Sequence, residues 1–334
     1  VQGQITLSDA DFDGIGGFVG YVIYGTIQGC LADVDITLST TIEDTDFYEI
    51  GGFVGWNDGT INSKCGATGD ISCVGITIDN GDFFGVAGFV GGQSDENAVI
   101  DTCYATGQVV WSKGDCYGIG GFAGEPDGGI IRNCYAQGDV SYTGESEGSA
   151  NFGAGGFGGE LGFSGTFLVE NCYSSGDVYF STGVSYGHGG FCGQADNVTI
   201  KNCYSVGLVT AENMAEDWGT GGFIGVFERD CVPLSNCSWW SGAYDVAIGY
   251  DAIDNYDLAR ATLAEANYGT DELDNTFFRY KEHLVYDQGN ADAWDFDTPI
   301  WYERKSCNDY PTFEVCSFSA LEIPCGEVGQ VVSS

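Results

Sequence analysis

Gly120-Gly121-Phe122-Ala123-Gly124, Ile130-Ile131-Arg132-Asn133-Cys134-Tyr135-Ala136 and Gly138-Asp139-Val140 form the clearest copy of a unit that recurs about seven times. Its phenylalanine returns at Phe18, Phe53, Phe89, Phe122, Phe157, Phe191 and Phe223, in steps of 35, 36, 33, 35, 34 and 32 residues. Its cysteine returns at Cys30, Cys65, Cys103, Cys134, Cys172, Cys203 and Cys237. Two residue types that keep one average step mark a true repeat, and this period belongs to solenoids, propellers and arrays. The pieces are short, rich in Val, Ile, Phe, Tyr and Thr, and punctuated by Gly, which favours strands over helices. Each unit is read as three strands: Gly-Phe-x-Gly, the piece ending Asn-Cys-Tyr, and Asp-Val-x-x. A propeller blade needs four strands, so the expected fold is all-β, a parallel β-solenoid with one unit per coil.

Stacked coils lie about 4.8 Å apart, so equal positions form ladders. The seven Phe are expected to form one buried column and the seven Cys another, the thiols acting as small hydrophobes. Asn133, Asn171, Asn202 and Asn236 precede four of the Cys and can hydrogen-bond from coil to coil.

The Gly-Gly-Phe-x-Gly and Asn-Cys-Tyr-Ala-x-Gly-Asp-Val patterns resemble the GLUG-motif repeat family of secreted and surface proteins, over roughly residues 14 to 238. The first two units depart from it, since Gly29-Cys30-Leu31 and Lys64-Cys65-Gly66 lack the Asn and Tyr. The resemblance implies an extracellular or cell-surface protein whose signal peptide has been removed before Val1. By composition and architecture the chain is also similar to amyloid-like sheath proteins of methanogenic archaea.

With 49 Asp+Glu against 10 Lys+Arg, the chain carries a formal charge of −39. It is a poor partner for nucleic acid. No apolar run reaches membrane-spanning length. Two sequons, Asn197-Val198-Thr199 and Asn236-Cys237-Ser238, are no more than chance supplies. Fourteen Cys in a secreted context point to disulfides. The ladder takes seven, which leaves Cys73, Cys116, Cys192, Cys231, Cys307, Cys316 and Cys325 as the disulfide candidates. There is no Cys-x-x-Cys pair of the zinc or haem type.

Between the third strand and the next Gly-Phe the sequence reads as variable acidic loops, such as Glu43-Asp44-Thr45-Asp46 and Asp79-Asn80-Gly81-Asp82. Their oxygens are of the kind calcium takes. Asp9, Asp11, Asp13 and Gly14 match the first half of an EF-hand loop, but Gly20 stands where the bidentate Glu belongs. A solvated acidic edge is the simpler reading, and no cofactor is assigned. Two Gly-x-Ser-x-Gly matches, at 144–148 and 183–187, lack the helix of a nucleophile elbow. Cys192 near His188 is a weak nucleophile pair, and two His leave little acid–base capacity.

The expected boundary falls at residue 238. Beyond it Asp257 to Ala266 has helical composition, with Gly269 as a stop. Residues 294–313 read as a closing coil and 314–334 as a Cys-bearing tail. At the other end Gly3-Gln4-Ile5-Thr6-Leu7 matches the third strand and enters the solenoid as a bare edge, a site for adding another chain. The function expected is a non-enzymatic structural protein that polymerises with itself into a filament, hoop or sheath. The alternative is a monomeric adhesin or glycan-binding module, and the third reading a β-solenoid carbohydrate-active enzyme.

Overall fold

A computed structural model describes residues 1–40, 45–73, 82–112, 115–142, 150–163, 165–181, 183–212, 214–217, 219–228, 234, 237–239, 246–251 and 263–265. The chain divides into two compact units, Val1–Glu265 and Ala266–Ser334, and every described residue lies in the first. This unit is all-β and its strand pairs are parallel, stacked coil on coil. Three ladders of 14, 12 and 8 strands run along it.

The quoted unit shows how one coil is built. Asp115–Gly120 lies in the 8-stranded ladder. Ala123–Pro126 and Gly129–Arg132 lie in the 12-stranded ladder, and Tyr135–Ala136 and Val140–Tyr142 in the 14-stranded one. The first of these strands falls in a stretch the sequence reading left as loop. Phe122 sits at the bend between two strands rather than within one. The bend needs Gly: a Cβ on Gly121 would lie 2.1 Å from the Gly156 carbonyl oxygen one coil on. Around this unit the register follows the repeat, as in Ile119↔Ala154, Ile131↔Val169 and Val140↔Val178.

Two buried clusters fill the interior. One holds the Phe and Cys columns with Ile61, Ile100, Ile131, Val169 and Ile200. The other packs the 8-stranded ladder against the Asp-Val strands through Ile36, Phe83, Ile119, Trp111, Tyr142 and Phe180. From Phe18 to Phe223 the rings stack at 4.8–4.9 Å, within 11° of parallel. Phe53 to Phe223 are fully buried, and Phe18, on the first coil, is partly exposed.

The ladder continues past residue 238. Ile248–Asp251 pairs with Ile224–Phe227, and Leu263–Glu265 pairs with Cys237–Trp239. Residues 263–265 are therefore strand, where composition suggested helix. An open ladder edge supplies backbone partners that outweigh a modest helix propensity. The expected closing coil and tail lie outside the described residues.

Candidate functional site

The N-terminal end of the stack is built from four strands: β1 (Gln2–Ser8), β2 (Phe12–Gly16), β3 (Val19–Gln28) and β4 (Leu31–Ser39). Gly3, Gln4, Ile5, Thr6 and Leu7 lie on β1, which pairs residue for residue with Asp33–Ser39. Among the described residues, β1, β2 and β3 each have one strand partner, so one edge of each carries unpaired backbone groups. Val1, Tyr21, Ile23, Tyr24 and Leu31 are exposed here. Tyr24 is 86% exposed and takes φ 58°, at a bulge where β3 shifts register between Ile23 and Thr26.

The Asn and Cys positions act together at one corner. Asn133, Asn171 and Asn202 each take φ 53°, a left-handed conformation that Asn tolerates best among non-glycine residues. Their amides form a ladder: Asn171 Nδ2 donates to Asn133 Oδ1 at 3.2 Å, and Asn202 Nδ2 to Asn171 Oδ1 at 3.1 Å. Asn236 lies outside the described residues. The following thiol donates back across the turn, as Cys134 Sγ does to the Arg132 carbonyl at 3.0 Å and Cys172 Sγ to the Glu170 carbonyl at 3.2 Å. Cys65, Cys103, Cys134, Cys172, Cys203 and Cys237 are fully buried, whereas Cys30 is partly exposed. Burial pushes the Cys103 and Cys172 thiols well above an ordinary thiol.

Two of the disulfide candidates, Cys73 and Cys192, are buried in the core. Cys73 sits in the second cluster, stacked in register with Trp111. Cys192 replaces the Val90 and Ala123 of earlier coils, and its thiol donates to the Gln194 carbonyl at 2.9 Å. Their ladder neighbours are Trp, Gly and Ile, so no second sulfur stands at the same rung to bond to. Cys116 lies on the Asp115–Gly120 strand, with its side chain outside the described set. Cys231, Cys307, Cys316 and Cys325 are outside the described residues.

Of the two Gly-x-Ser-x-Gly matches, 144–148 lies outside the described residues. Residues 183–187 run inside the Gly183–Gly189 strand, paired on both edges, and form no strand-to-helix turn. His188 is fully buried and stacks on Phe180 at 3.5 Å, and burial drives its pKa down to about 3. Asp9 takes φ 56° and the Asp11 carboxylate accepts the Asp46 amide at 3.0 Å. Among the described residues no group of three or more His, Cys, Asp or Glu is placed to hold a metal ion.

A side cavity of about 400 Å³ went unseen in the sequence. Trp56, Phe84 and Tyr117 form its apolar wall, and Glu49, Glu125 and Glu160 supply carboxyl groups. Phe84 and Tyr117 belong to a column, Tyr48–Phe84–Tyr117–Phe152–Tyr186, stacked at 4.6–4.9 Å. This column stands on the strands missed as loop. Glu125 follows Gly92 on the outward-facing ladder, with Trp56 before it and Glu160 after it. The indole of Trp56 lies over Gly92, where a Cβ would meet it at 2.5 Å. Glu49 takes φ 47° at a position that is Gly14, Gly85, Gly118 and Gly153 in other coils.

Burial raises all three carboxyls, Glu125 to about 8 and Glu160 to about 7. Glu160 and Glu49 add their repulsion to Glu125, and Asp196, Glu228 and Asp127 add theirs to Glu160. Glu49 reaches about 7, through burial and then a hydrogen bond with Asp13.

No curated protein and no solved structure matches this chain. Residues 115–141 match the family described as the GLUG motif. That match begins at the Asp115–Gly120 strand and ends in Val140–Tyr142, so this chain carries the GLUG motif as one coil of a parallel β-solenoid.

Proposed function

We propose that the protein is a structural, non-catalytic component of the cell exterior that assembles with copies of itself by adding coils end to end. The observation that carries this reading is the near absence of charge on β1, β2 and β3, which among the described residues pair along one edge only. Asp13 is the sole charged side chain on β1, β2 and β3, in a chain of formal charge −39. Exposed sheet edges are normally blunted by charge, proline or short length. Here β3 runs ten uncharged residues, with Ile23 and Tyr24 turned to solvent. A head-to-tail contact of this kind gives a filament, or a ring if its rotation closes. The acidic surface, the GLUG resemblance and the architectural likeness to sheath proteins suit an external location.

The test compares the parent chain, a chain lacking Val1–Ser8, and the Ile23→Lys variant by light scattering and electron microscopy across a salt series. Screening of the like charge should drive the parent into ordered polymer as salt rises. Both variants should polymerise less while keeping parent-like circular dichroism. If the truncated chain polymerises like the parent, edge addition is wrong. A parent that stays monomeric at every salt concentration shifts the reading to an adhesin or glycan-binding module.

A further inference from the structure

The side cavity is independent of the singly paired edges of β1, β2 and β3. Its lining strands are paired on both edges, so coil addition leaves it uncovered. Its volume of about 400 Å³ falls in the range of small-molecule sites, roughly 300–1,000 Å³, which join apolar walls to a few converging polar groups. We propose that it binds a small organic cation, a protonated amine carried on an apolar body.

Three features select that chemistry. The ionisable acids come from three separate coils, Glu49, Glu125 and Glu160, with Asp127 beside them, and the remaining polar side-chain groups of the lining are the Tyr117 hydroxyl and the Trp56 indole N–H. Among the described residues no Lys, Arg or His lines the cavity, which disfavours an anionic ligand. The opposite wall is aromatic. Phe84 is stacked on both faces, by Tyr48 and by Tyr117, so it offers ring edges and apolar contact rather than an open π-face. Phe163, 68% exposed, stands at the rim where it can cover a bound apolar group.

The surrounding charges explain why a cation suits the site better than a neutral ligand. Asp13 faces Glu49, and Asp127, Asp196 and Glu228 face Glu160. Burial, reinforced by the repulsion of these acidic neighbours, keeps protons on the cavity carboxyls up to about neutral pH, and none of those neighbours is a counter-charge. A bound ammonium supplies that charge and displaces a proton, while a neutral alcohol or sugar does not.

The experiment is isothermal titration of the full chain with 2-phenylethylammonium chloride, and with 2-phenylethanol as the neutral isostere. Titrations at pH 7 in buffers of different ionisation enthalpy count the protons released. The ammonium is expected to bind with a Kd of about a millimolar or tighter and to release protons to the buffer. The alcohol and the Glu125→Gln variant should each bind at least about tenfold more weakly, the scale of one charge-assisted hydrogen bond. Phe163→Ala, on the exposed rim, should weaken both ligands about equally. Equal binding of ammonium and alcohol would overturn the cation assignment. Absence of heat with both ligands, from a chain with parent-like circular dichroism, would overturn the site.

Discussion

At the scale of single residues, Glu49 is the outlier. Its φ of 47° belongs to a ladder position that other coils fill with Gly, because a side chain there both strains the backbone and crowds the outer face. A Cβ on the equivalent Gly118 would lie 2.2 Å from Glu125 Cγ. A left-handed L-residue costs on the order of 1 kcal/mol. Glu49→Gly is therefore expected to stabilise the chain by about 1 kcal/mol in denaturant unfolding at pH 8, while weakening amine binding. Loss of stability in that variant would mean that the Glu49–Asp13 hydrogen bond outweighs the strain. The repeat is otherwise legible at this scale as an Asn ladder and a column of buried Cys, whereas the left-handed corner and the thiol bonds across it appear only in the structure. The raised carboxyls are not legible, because their state is set by neighbours about 35 residues away.

At the scale of the element, the Phe column is the spine of the first cluster. Phe122 lies between Phe89 and Phe157 at 4.8 and 4.9 Å, fully buried. Phe122→Ala should cost about 3–5 kcal/mol. Leu208→Ala, at an exposed position, should cost under about 1 kcal/mol. Equal melting temperatures for the two would contradict the packing. The Gly-Asp-Val corner is an element of a second kind. Asp139 Oδ1 accepts the Asp177 amide at 2.8 Å and Asp177 Oδ1 accepts the Leu208 amide at 2.8 Å, which pins each coil to the next.

For the whole molecule, buried titratable groups define a pH optimum. Between about 4.5 and about 8, Glu125 keeps a proton in the folded state that the unfolded chain has released. Stability therefore falls as pH rises through that window, and Glu160 adds to the loss up to about 7. His188 acts in the opposite sense. Its folded pKa of about 3 lies below the ordinary 6.5, so its share of stability is present above 6.5 and is lost as pH falls toward 3. Above about pH 4.5 the two Glu outweigh the one His, so unfolding midpoints should peak near pH 4.5 and fall on both sides. Glu125→Gln/Glu160→Gln should flatten the alkaline limb, worth on the order of several kcal/mol for two largely buried carboxyls. An unchanged alkaline limb would show that water reaches these groups freely.

The sequence by itself determined the fold class, the period and the inward columns. Those depend on short-range steric and hydrophobic rules repeated once per coil, so every copy of Phe, Cys and Gly restates the same constraint. Only the tertiary structure decided what lies between the repeats. The strands carrying Phe84 and Tyr117 were hidden in acidic, variable sequence because their pairing partners are one coil away. The strand at Leu263–Glu265 was hidden by helix-forming residues for the same reason. Cys73 and Cys192 became core thiols because register placed each against a ladder neighbour without sulfur. The cavity arises where Trp56, Gly92, Glu125 and Glu160, a changing series in an otherwise constant ladder, come into one column. Repetition makes the common positions readable from sequence, whereas a site built from the exceptions exists only once stacking has brought them together.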